Sequence, residues 1–327
     1  MPPSLIPFVD RFQNQPIIVW GDLILDEYVF TTTGRVSREA PVLVTEFESN
    51  EYRLGGAGNV VLNVHSLGAA PIPVGFIGRD EKGRILKKIL AAKGIGSDYL
   101  IEVNGFRTPL KSRILSGAEN TRKQQILRID TLNRSTIPPA GYRRLEQNLA
   151  RLLATHQALI VSDYLSQTVR AEVFARLRPA LAGRIIAVDS RNHLLDFSGI
   201  TVATPNESEL RNLFPGRALA SQENLIQAGT ELLGRIRTEG IVLKRGHQGM
   251  MVFSPKRPPA QIPIFGTTQI VDMTGAGDTV LAVIGLGLLS GASLLDSARL
   301  GNIAGGMVVM KEGAFPIPWQ ELKDALR

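Results

Sequence analysis

Short apolar runs alternate with amphipathic segments along most of this 327-residue chain, and this alternation restricts its fold more than any other feature. Runs at 72–77, 158–161 and 185–188 have the length of buried strands, whereas the segment at 81–93 carries apolar residues at helical spacing. Strands and helices that alternate in this way form a mostly parallel central sheet flanked by helices. We therefore expect an α/β fold in which residues 1–327 are one domain.

Two segments, 28–52 and 101–130, depart from the alternation. Both are rich in Val, Thr and Ile with polar residues between them, which is typical of consecutive strands. Two such insertions can meet as a small second sheet, or they can extend the main sheet at one edge. The residues alone leave both arrangements open.

Composition excludes several classes of protein. The chain has no cysteine, which excludes disulfides and thiolate metal sites, and its four histidines show no i, i+4 pair that would suggest a metal site on a helix. It has no run of about 18 apolar residues, and its N-terminus lacks the basic and apolar regions of a signal peptide. We expect a globular protein of the cytoplasm with no membrane partner.

The formal net charge of +7 raises the question of a nucleic-acid partner. Lys and Arg are spread along the chain without a dense run, and aromatic residues, which would stack on bases, make up only 6%. We therefore expect no nucleic acid as partner. An anionic small substrate accounts for the sign of the charge, and a solvated basic surface accounts equally well for most of these residues.

A glycine-rich turn, formed by Gly275, Ala276 and Gly277, stands between β-branched residues at 270–271, which read as a strand end, and an apolar helix predicted at 280–289. Backbone N–H groups at a helix N-terminus lack an intrahelical acceptor, and with the helix dipole they attract anions. The turn is therefore a candidate anion hole for a phosphate.

Asp278 follows this turn directly and would lie beside the bound anion. A carboxylate in that place is electrostatically unfavourable unless it has a task, and taking a proton from an attacking hydroxyl is a task that phosphoryl transfer requires. Asp278 is thus a candidate general base. The alternative is an ordinary strand-to-helix turn in which Asp278 complements the charge of the helix terminus.

The segment 272–278 resembles the C-terminal signature of the ribokinase-like (PfkB-type) carbohydrate kinases, usually Asp-Thr-x-Gly-Ala-Gly-Asp, with Met273 in place of the threonine. Residues 53–69 match the glycine-rich N-terminal signature of the same family. Further segments resemble one branch of it, the D-glycero-D-manno-heptose 7-phosphate kinases of lipopolysaccharide precursor synthesis. These segments lie at 21–26, 35–42, 124–130 and 203–209.

This resemblance implies a ribokinase-like fold in which the small sheet is a lid over the sugar and often a homodimer interface. It implies ATP as donor, Mg²⁺ as cofactor and, near Asp272, a monovalent cation that is commonly potassium. In the heptose branch the acceptor is the anomeric hydroxyl of D-glycero-D-manno-heptose 7-phosphate, and the product is the heptose 1,7-bisphosphate. We expect no fused nucleotidyltransferase, because the chain has no His-x-Gly-His motif.

The resemblance assigns a first group of residues to the sugar. Asp22 and Asp26 follow or close the first strand, at the edge where ligands of α/β folds collect, and carboxylates there can bind hydroxyls. Gly55 and Gly56 would let the backbone approach the sugar, and Asn59 would offer its amide. Without the family, the acids read equally as turn or surface residues and the glycines as a turn.

Lys111 and Arg113 occupy alternate positions of a predicted lid strand and therefore lie on one face. The heptose branch has a similar Lys-x-Arg, which implies that these two cations bind the 7-phosphate. A solvated strand face is the competing interpretation.

A second group is assigned to the nucleotide. Asn206 and Glu209 match the family motif that organises magnesium and phosphate through water, and they also form a capping-box pattern at a helix start. Lys244 and Gly246 follow a strand and resemble the segment that borders the nucleotide phosphates. Asn302 corresponds to a position near the adenine, where small neighbours would admit a flat ring, although helix packing explains those neighbours equally well.

The sequence thus predicts an ATP-dependent heptose phosphate kinase. Two rivals are a kinase of the same family for another sugar, sugar phosphate or nucleoside, and a sugar or nucleotide sensor without turnover. Asp278 counts against the sensor, because a pure binder gains nothing from an acid beside a phosphate.

Overall fold

The computed structural model describes residues 4–118, 121–132, 135–219, 221–266, 272–311 and 315–327. The strand end predicted at 270–271 lies outside these residues. In chain order, the described helices and strands are α1 (Ile6–Asp10), β1 (Pro16–Gly21), β2 (Leu23–Val36), β3 (Leu43–Gly56), α2 (Ala57–Ser66), β4 (Ala70–Gly78), α3 (Glu81–Ala92), β5 (Leu100–Val103), β6 (Leu110–Gly117), β7 (Gln124–Thr131), α4 (Pro139–Leu153), β8 (Ala158–Asp163), α5 (Ala171–Leu181), β9 (Ile185–Ser190), β10 (Val202–Ala203), α6 (Glu207–Leu213), α7 (Gln222–Arg235), β11 (Gly240–Lys244), β12 (Met250–Phe253), β13 (Ala260–Ile262), α8 (Ala276–Leu289), α9 (Leu294–Val309) and α10 (Trp319–Asp324).

Nine strands of the described residues form the central sheet, in the order β13-β12-β11-β10-β9-β8-β1-β4-β5. Neighbouring strands from β11 to β5 along this order run parallel, and β12 and β13 add an antiparallel edge. The predicted α/β class with a mostly parallel central sheet is therefore confirmed.

The central strands are buried on both faces, which explains their nearly continuous apolar sequence. In β1, Ile17 and Val19 pack into a core with α2, α8 and α9, whereas Ile18 and Trp20 pack into a second core with α4, α5 and α7. Helix α8 is apolar around most of its circumference and is enclosed by the first core, which fixes the position of its N-terminus. None of the described helices has the combination of length and hydropathy that crossing a bilayer requires.

Within the described residues, four strands form a separate small sheet in the order β3-β2-β6-β7. This confirms the predicted small second sheet, but its bounds differ from the predicted ones, and β3 continues to Gly56 instead of ending at 52. The sheet begins at Leu23, because the chain leaves β1 after Gly21 and turns at Asp22. Residues 101–103 belong instead to the central sheet, because β5 pairs in parallel with β4 and continues the α/β alternation.

The register of the small sheet places Asp26 opposite Lys111 and Tyr28 opposite Arg113. Arg113 is in turn opposite Arg128 of β7. Residues opposite one another in register lie on the same face, so these five share one face, which we call the polar face.

Candidate active site

The predicted anion turn lies at the start of α8. Gly275, at the N-cap, has a φ of 79°, in the left-handed region that favours glycine. Asp272 accepts a hydrogen bond from the N–H of Thr274 at 2.8 Å and so closes the turn. Among the described residues, the N–H groups of Gly277 and Asp278 have no acceptor. These two donors, with the positive end of the α8 dipole, are available to an anion.

Asp278, in the first turn of α8, is 6% exposed, and each of its carboxylate oxygens has a side-chain donor. The Asn59 amide donates to Oδ2 at 2.9 Å, and the Tyr164 hydroxyl donates to Oδ1 at 2.8 Å. Burial raises the pKa of Asp278 to about 6, against the lowering effect of these two hydrogen bonds. The group is therefore ionised at neutral pH, yet basic enough to accept a proton during a reaction.

Asn59 is buried and its amide is committed to this carboxylate. Asn63, one turn later on α2, donates to the backbone oxygen of Asn59 at 2.9 Å and accepts a hydrogen bond from the Thr279 hydroxyl at 2.9 Å. The first two turns of α2 are thus joined to the start of α8 by two polar pairs. The contact of Asn59 with sugar hydroxyls stays a prediction, and the geometry gives this residue the task of orienting Asp278.

Tyr164 was not among the residues predicted from the sequence. It begins the loop 164–168 after β8, in which Leu165 and Gln167 have φ of 64° and 76°. Residues other than glycine adopt this region at a cost, and such strain persists only where surrounding contacts impose it. The loop is therefore held in a defined shape that brings the Tyr164 hydroxyl to Asp278.

Asp22 provides those contacts, and its contact with the sugar stays a prediction. Its carboxylate is 1% exposed and accepts hydrogen bonds from the N–H groups of Tyr164, Ser166 and Thr168 at 2.8, 3.0 and 2.9 Å. Because the acid lies between the two sheets and is saturated with backbone donors, its observed role is to hold the loop 164–168.

Asp26 and Arg113 form a buried ion pair of 2.6 Å on the polar face. A Cβ at Gly55 would lie 2.2 Å from Asp26 Oδ2, so glycine at this position makes room for the carboxylate. Gly56 has a φ of 56°, and a Cβ added there would lie only 2.6 Å from the backbone oxygen of Asp22, so this position also requires glycine. Arg113 shares a face with Lys111 and forms an ion pair with Asp26, and the binding of a 7-phosphate by these two cations stays a prediction.

Two cations lie close to the ring of Tyr164. Lys111 Nζ and the Arg191 guanidinium lie 5.0 and 4.6 Å from the centroid of its ring. With Arg128 they line a cavity of about 60 Å³ where the polar face meets the loops after β8 and β9. Arg128 is paired with Asp130 through contacts of 2.7 and 2.6 Å, whereas in the described part of the chain Lys111 and Arg191 belong to no ion pair. Burial and the neighbouring arginines lower the pKa of Lys111.

A larger cavity, of about 300 Å³, borders the anion turn at Ala276 and Gly277. It contains most of the residues predicted for the nucleotide: Asn206, Lys244, Gly246 and Asn302. Gly305 and Gly306 of α9 leave part of its wall without side chains, which suits a flat ring. Helix packing requires glycine as well, because a Cβ at Gly306 would lie 2.5 Å from the backbone oxygen of Phe265.

Glu209 and Asn206 form the predicted capping box at the start of α6, with hydrogen bonds of 2.8 and 2.9 Å. Burial, together with the nearby Asp189 carboxylate, raises the pKa of Glu209 to about 7. Lys244 contacts Asp189 at 2.5 Å, and although burial opposes it, the attraction of Asp189 and Glu209 raises the pKa of Lys244. The two carboxylates offer the oxygen ligands that Mg²⁺ prefers, so the residues fit that ion. The described residues contain no cluster of three acids or histidines suited to a metal.

Three functional candidates were missed from the sequence: Tyr164, Asp189 and Arg191. Each of them lies at the end of β8 or β9 or directly after it. Ligands of parallel α/β sheets collect outside the carboxyl ends of the strands, and this rule singled out Asp22 and Asp26 after the first strand. Applied to β8 and β9 as well, the same rule selects these three residues.

Comparison with known proteins agrees with this geometry. Residues 15–320 match the sequence profile described as pfkB family carbohydrate kinase. The chain is 35% identical over 318 residues to the "Bifunctional protein HldE" of Citrifermentans bemidjiense, and this alignment covers 96% of the chain and 64% of that protein. The chain therefore spans less than two thirds of the length of this relative.

Solved structures share the fold. Phosphofructokinase-2 from Escherichia coli in complex with potassium superimposes with a TM-score of 0.75 at 19% identity, over 96% of this chain and 98% of the other. Arabidopsis thaliana ribokinase complexed with ribose and ATP gives 0.72 at 20% identity, over 96% and 99% of the two chains. The predicted ribokinase-like fold is thus confirmed.

Replacing Asp278 with Asn should stabilise the protein above pH 6. Because the folded pKa is raised from 3.8 to about 6, stability contributed by this group is present below pH 3.8 and is lost as the pH rises through 6. A shift of about two units corresponds to ~3 kcal/mol. We expect the free energy of unfolding of Asp278→Asn to exceed that of the wild type by up to ~3 kcal/mol at pH 8, and the difference to shrink towards pH 4.

Urea unfolding at several pH values measures this difference. Asp130→Asn is the matched control, because its hydrogen bond to Arg128 lowers the pKa of Asp130 and the variant should lose stability at pH 8. If the Asp278→Asn protein is less stable than the wild type at pH 8, the hydrogen bonds of the ionised carboxylate stabilise the fold by more than its burial destabilises it.

Proposed function

The chain belongs to the pfkB family of carbohydrate kinases, and from this premise we propose that it transfers the γ-phosphoryl group of ATP to the anomeric hydroxyl of D-glycero-D-manno-heptose 7-phosphate. The product would be the 1,7-bisphosphate. One observation supports an acceptor that already carries a phosphate: Lys111 and Arg191 meet beside Tyr164, and in the described part of the chain neither forms an ion pair with a carboxylate. The heptose itself is supported by the resemblance of several segments to that branch of the family.

In the proposed reaction, the sugar hydroxyl oxygen forms a bond to the γ-phosphorus while the bond from phosphorus to the bridging oxygen breaks, and ADP leaves. The N–H groups of Gly277 and Asp278, in the Gly275-Ala276-Gly277 turn, would donate to the transferred group and stabilise its charge. The hydroxyl proton passes to the Asp278 carboxylate. Burial of that carboxylate keeps water away from it, which limits hydrolysis of ATP.

Several residues would hold the donor. A Cβ at Gly277 would be 3.4 Å from Lys244 Nζ, so this ammonium group faces the turn and can bind a phosphate oxygen. When bound, Mg²⁺ would neutralise charge on the phosphates, and Asp189 and Glu209 would hold it through water. Potassium near Asp272 is proposed from the family resemblance. ATP as donor and the lack of cysteine fit an enzyme of the cytoplasm.

The small sheet would act as a lid of a single-domain kinase. Its polar face supplies Lys111 to the cation cluster, and the Asp26–Arg113 pair stiffens that face from within. An acceptor bound between this face and α8 would be shielded from water on the lid side. Its phosphate would lie at the cations and its reacting hydroxyl at Asp278.

Exposed apolar side chains on the opposite face of the lid support a homodimer. Leu127 and Ile129 of β7 are 54% and 52% exposed, and Phe47 of β3 is 66% exposed. In register, Leu127 lies opposite Ile114, so an apolar surface spans two neighbouring strands. Among the described strands β7 is also at the edge of its sheet, so one side of its backbone has no strand partner there. A second copy of the chain that packs on this surface would bury both features.

The activity is tested by measuring ADP release with heptose 7-phosphate, fructose 6-phosphate, ribose and adenosine as acceptors. We expect the highest kcat/KM with heptose 7-phosphate, and Asp278→Asn should lower its kcat at least about 100-fold because the base is lost. Asp98→Asn, at an exposed position, is the control and should keep wild-type turnover. A higher kcat/KM with another acceptor would assign a different kinase activity, and binding without turnover would contradict the kinase.

The acceptor phosphate is tested with Arg191→Gln. Loss of one charge-assisted contact should reduce kcat/KM for the sugar phosphate about tenfold to a hundredfold, mainly through KM. The same variant should change kcat/KM for the unphosphorylated sugar by less than about threefold. Arg176→Gln, at an ion pair on the surface helix α5, should change neither value. Equal losses with both sugars would show that Arg191 does not recognise the phosphate.

The dimer is tested by measuring molecular mass in solution with light scattering. The wild type should have twice the mass of one chain, and Leu127→Lys should shift it to the monomer because it places charges in the apolar interface. Leu195→Lys is matched in chemistry, at a residue 39% exposed outside the small sheet, and should leave the dimer intact. If the Leu127→Lys protein stays dimeric, the dimer interface does not include this surface.

A further inference from the structure

Tyr164 touches both halves of the candidate active site. Its hydroxyl donates to Oδ1 of Asp278 at 2.8 Å, while its ring lies beside the cations of Lys111 and Arg191. One rigid side chain therefore connects the carboxylate proposed to accept the proton with the groups proposed to bind the acceptor phosphate.

The loop that carries Tyr164 is fixed from several sides. Asp22 binds three of its N–H groups, Trp20 Nε1 donates to the backbone oxygen of Thr168 at 3.3 Å, and the Tyr142 hydroxyl donates to that of Gln167 at 2.8 Å. These contacts maintain two residues in the left-handed region. Because strained backbone costs stability, the many contacts that hold this loop indicate that it serves to place the residue it presents accurately.

The two donors on Asp278 differ in what they fix. Asn59 belongs to α2 and is bonded to Asn63, so it orients the carboxylate relative to the core. Tyr164 approaches from the lid side, where its ring contacts the cations, so it orients the same carboxylate relative to the acceptor. A hydroxyl that donates to the ionised form also opposes the rise in pKa that burial causes.

We propose that Tyr164 is a positioning residue: its hydroxyl orients the Asp278 carboxylate, and its ring sets the distance between that carboxylate and the cations that bind the acceptor phosphate. This inference rests on the proposed function, in which Asp278 is the general base. A fixed distance between the Asp278 carboxylate and the cations selects acceptors whose reacting hydroxyl and phosphate are separated by that distance. The acceptor hydroxyl that reacts is then chosen by geometry as well as by charge.

Tyr164→Phe separates the two roles, because it removes the hydroxyl and keeps the ring. We expect kcat to fall about tenfold to a hundredfold, with KM for the sugar phosphate within about twofold of the wild-type value. The acid limb of kcat/KM, which reports ionisation of Asp278, should move to higher pH by at least about half a unit, because a hydrogen bond to the charged form is lost. Tyr164→Leu, which also removes the ring, should in addition raise KM for the sugar phosphate.

Tyr99→Phe is the matched control. Tyr99 lies just before β5 and packs against the second core, and in the described part of the chain its hydroxyl bonds neither to the loop 164–168 nor to Asp278. It should leave the acid limb in place. Thermal unfolding of each variant verifies that it is folded.

The outcomes separate this inference from the function on which it rests. An acid limb in the wild type that Tyr164→Phe leaves unmoved, or that Tyr99→Phe moves equally, overturns the role of Tyr164 while the kinase stands. Full turnover of Asp278→Asn overturns the proposed base, and the positioning role falls with it.

Discussion

Burial of one carboxylate at the head of α8 is the constraint on which the rest of the site depends. Asp278 cannot move away from the anion turn, because α8 is enclosed by the core that α2 and α9 also build. Desolvation destabilises the ionised form, and the protein offsets this through the Asn59 amide and the Tyr164 hydroxyl. The result is a group that is charged at neutral pH but has a pKa of about 6, close enough to neutral for it to accept a proton during a reaction.

The Tyr164 hydroxyl comes from a loop with two residues in the left-handed region, so its placement requires backbone strain. Such conformations cost on the order of 1–3 kcal/mol each, which is a sizeable fraction of a domain's stability. Asp22 offsets this cost by binding three backbone N–H groups, and it lies where the chain passes from the central sheet into the small sheet. The shape of the loop, the attachment of the small sheet and the orientation of Asp278 are therefore linked through one buried acid.

The local features of the fold could be predicted from the sequence, whereas the pairing of charges could not. Alternation of strands and helices, the capping box of Asn206 and the anion turn depend on residues close together in the chain, so their patterns are visible there. The partner of Arg113 depends on how two strands of the lid are registered, and the three N–H groups bound by Asp22 come from a loop about 140 residues away. Tyr164 escaped notice for the same reason, since only tertiary contact brings it to Asp278.

Charge pairing also explains why net charge alone said little about the substrate. Most basic residues around the site already have a carboxylate: Arg113 has Asp26, Arg128 has Asp130 and Lys244 has Asp189. In the described part of the chain, Lys111 and Arg191 lie beside one aromatic ring and form no ion pair with a carboxylate, and burial together with the neighbouring arginines lowers the pKa of Lys111. A bound anion would relieve the repulsion between these two cations. The phosphate of the proposed acceptor is therefore inferred from cations that have no ion-pair partner after folding, rather than from the number of basic residues along the chain.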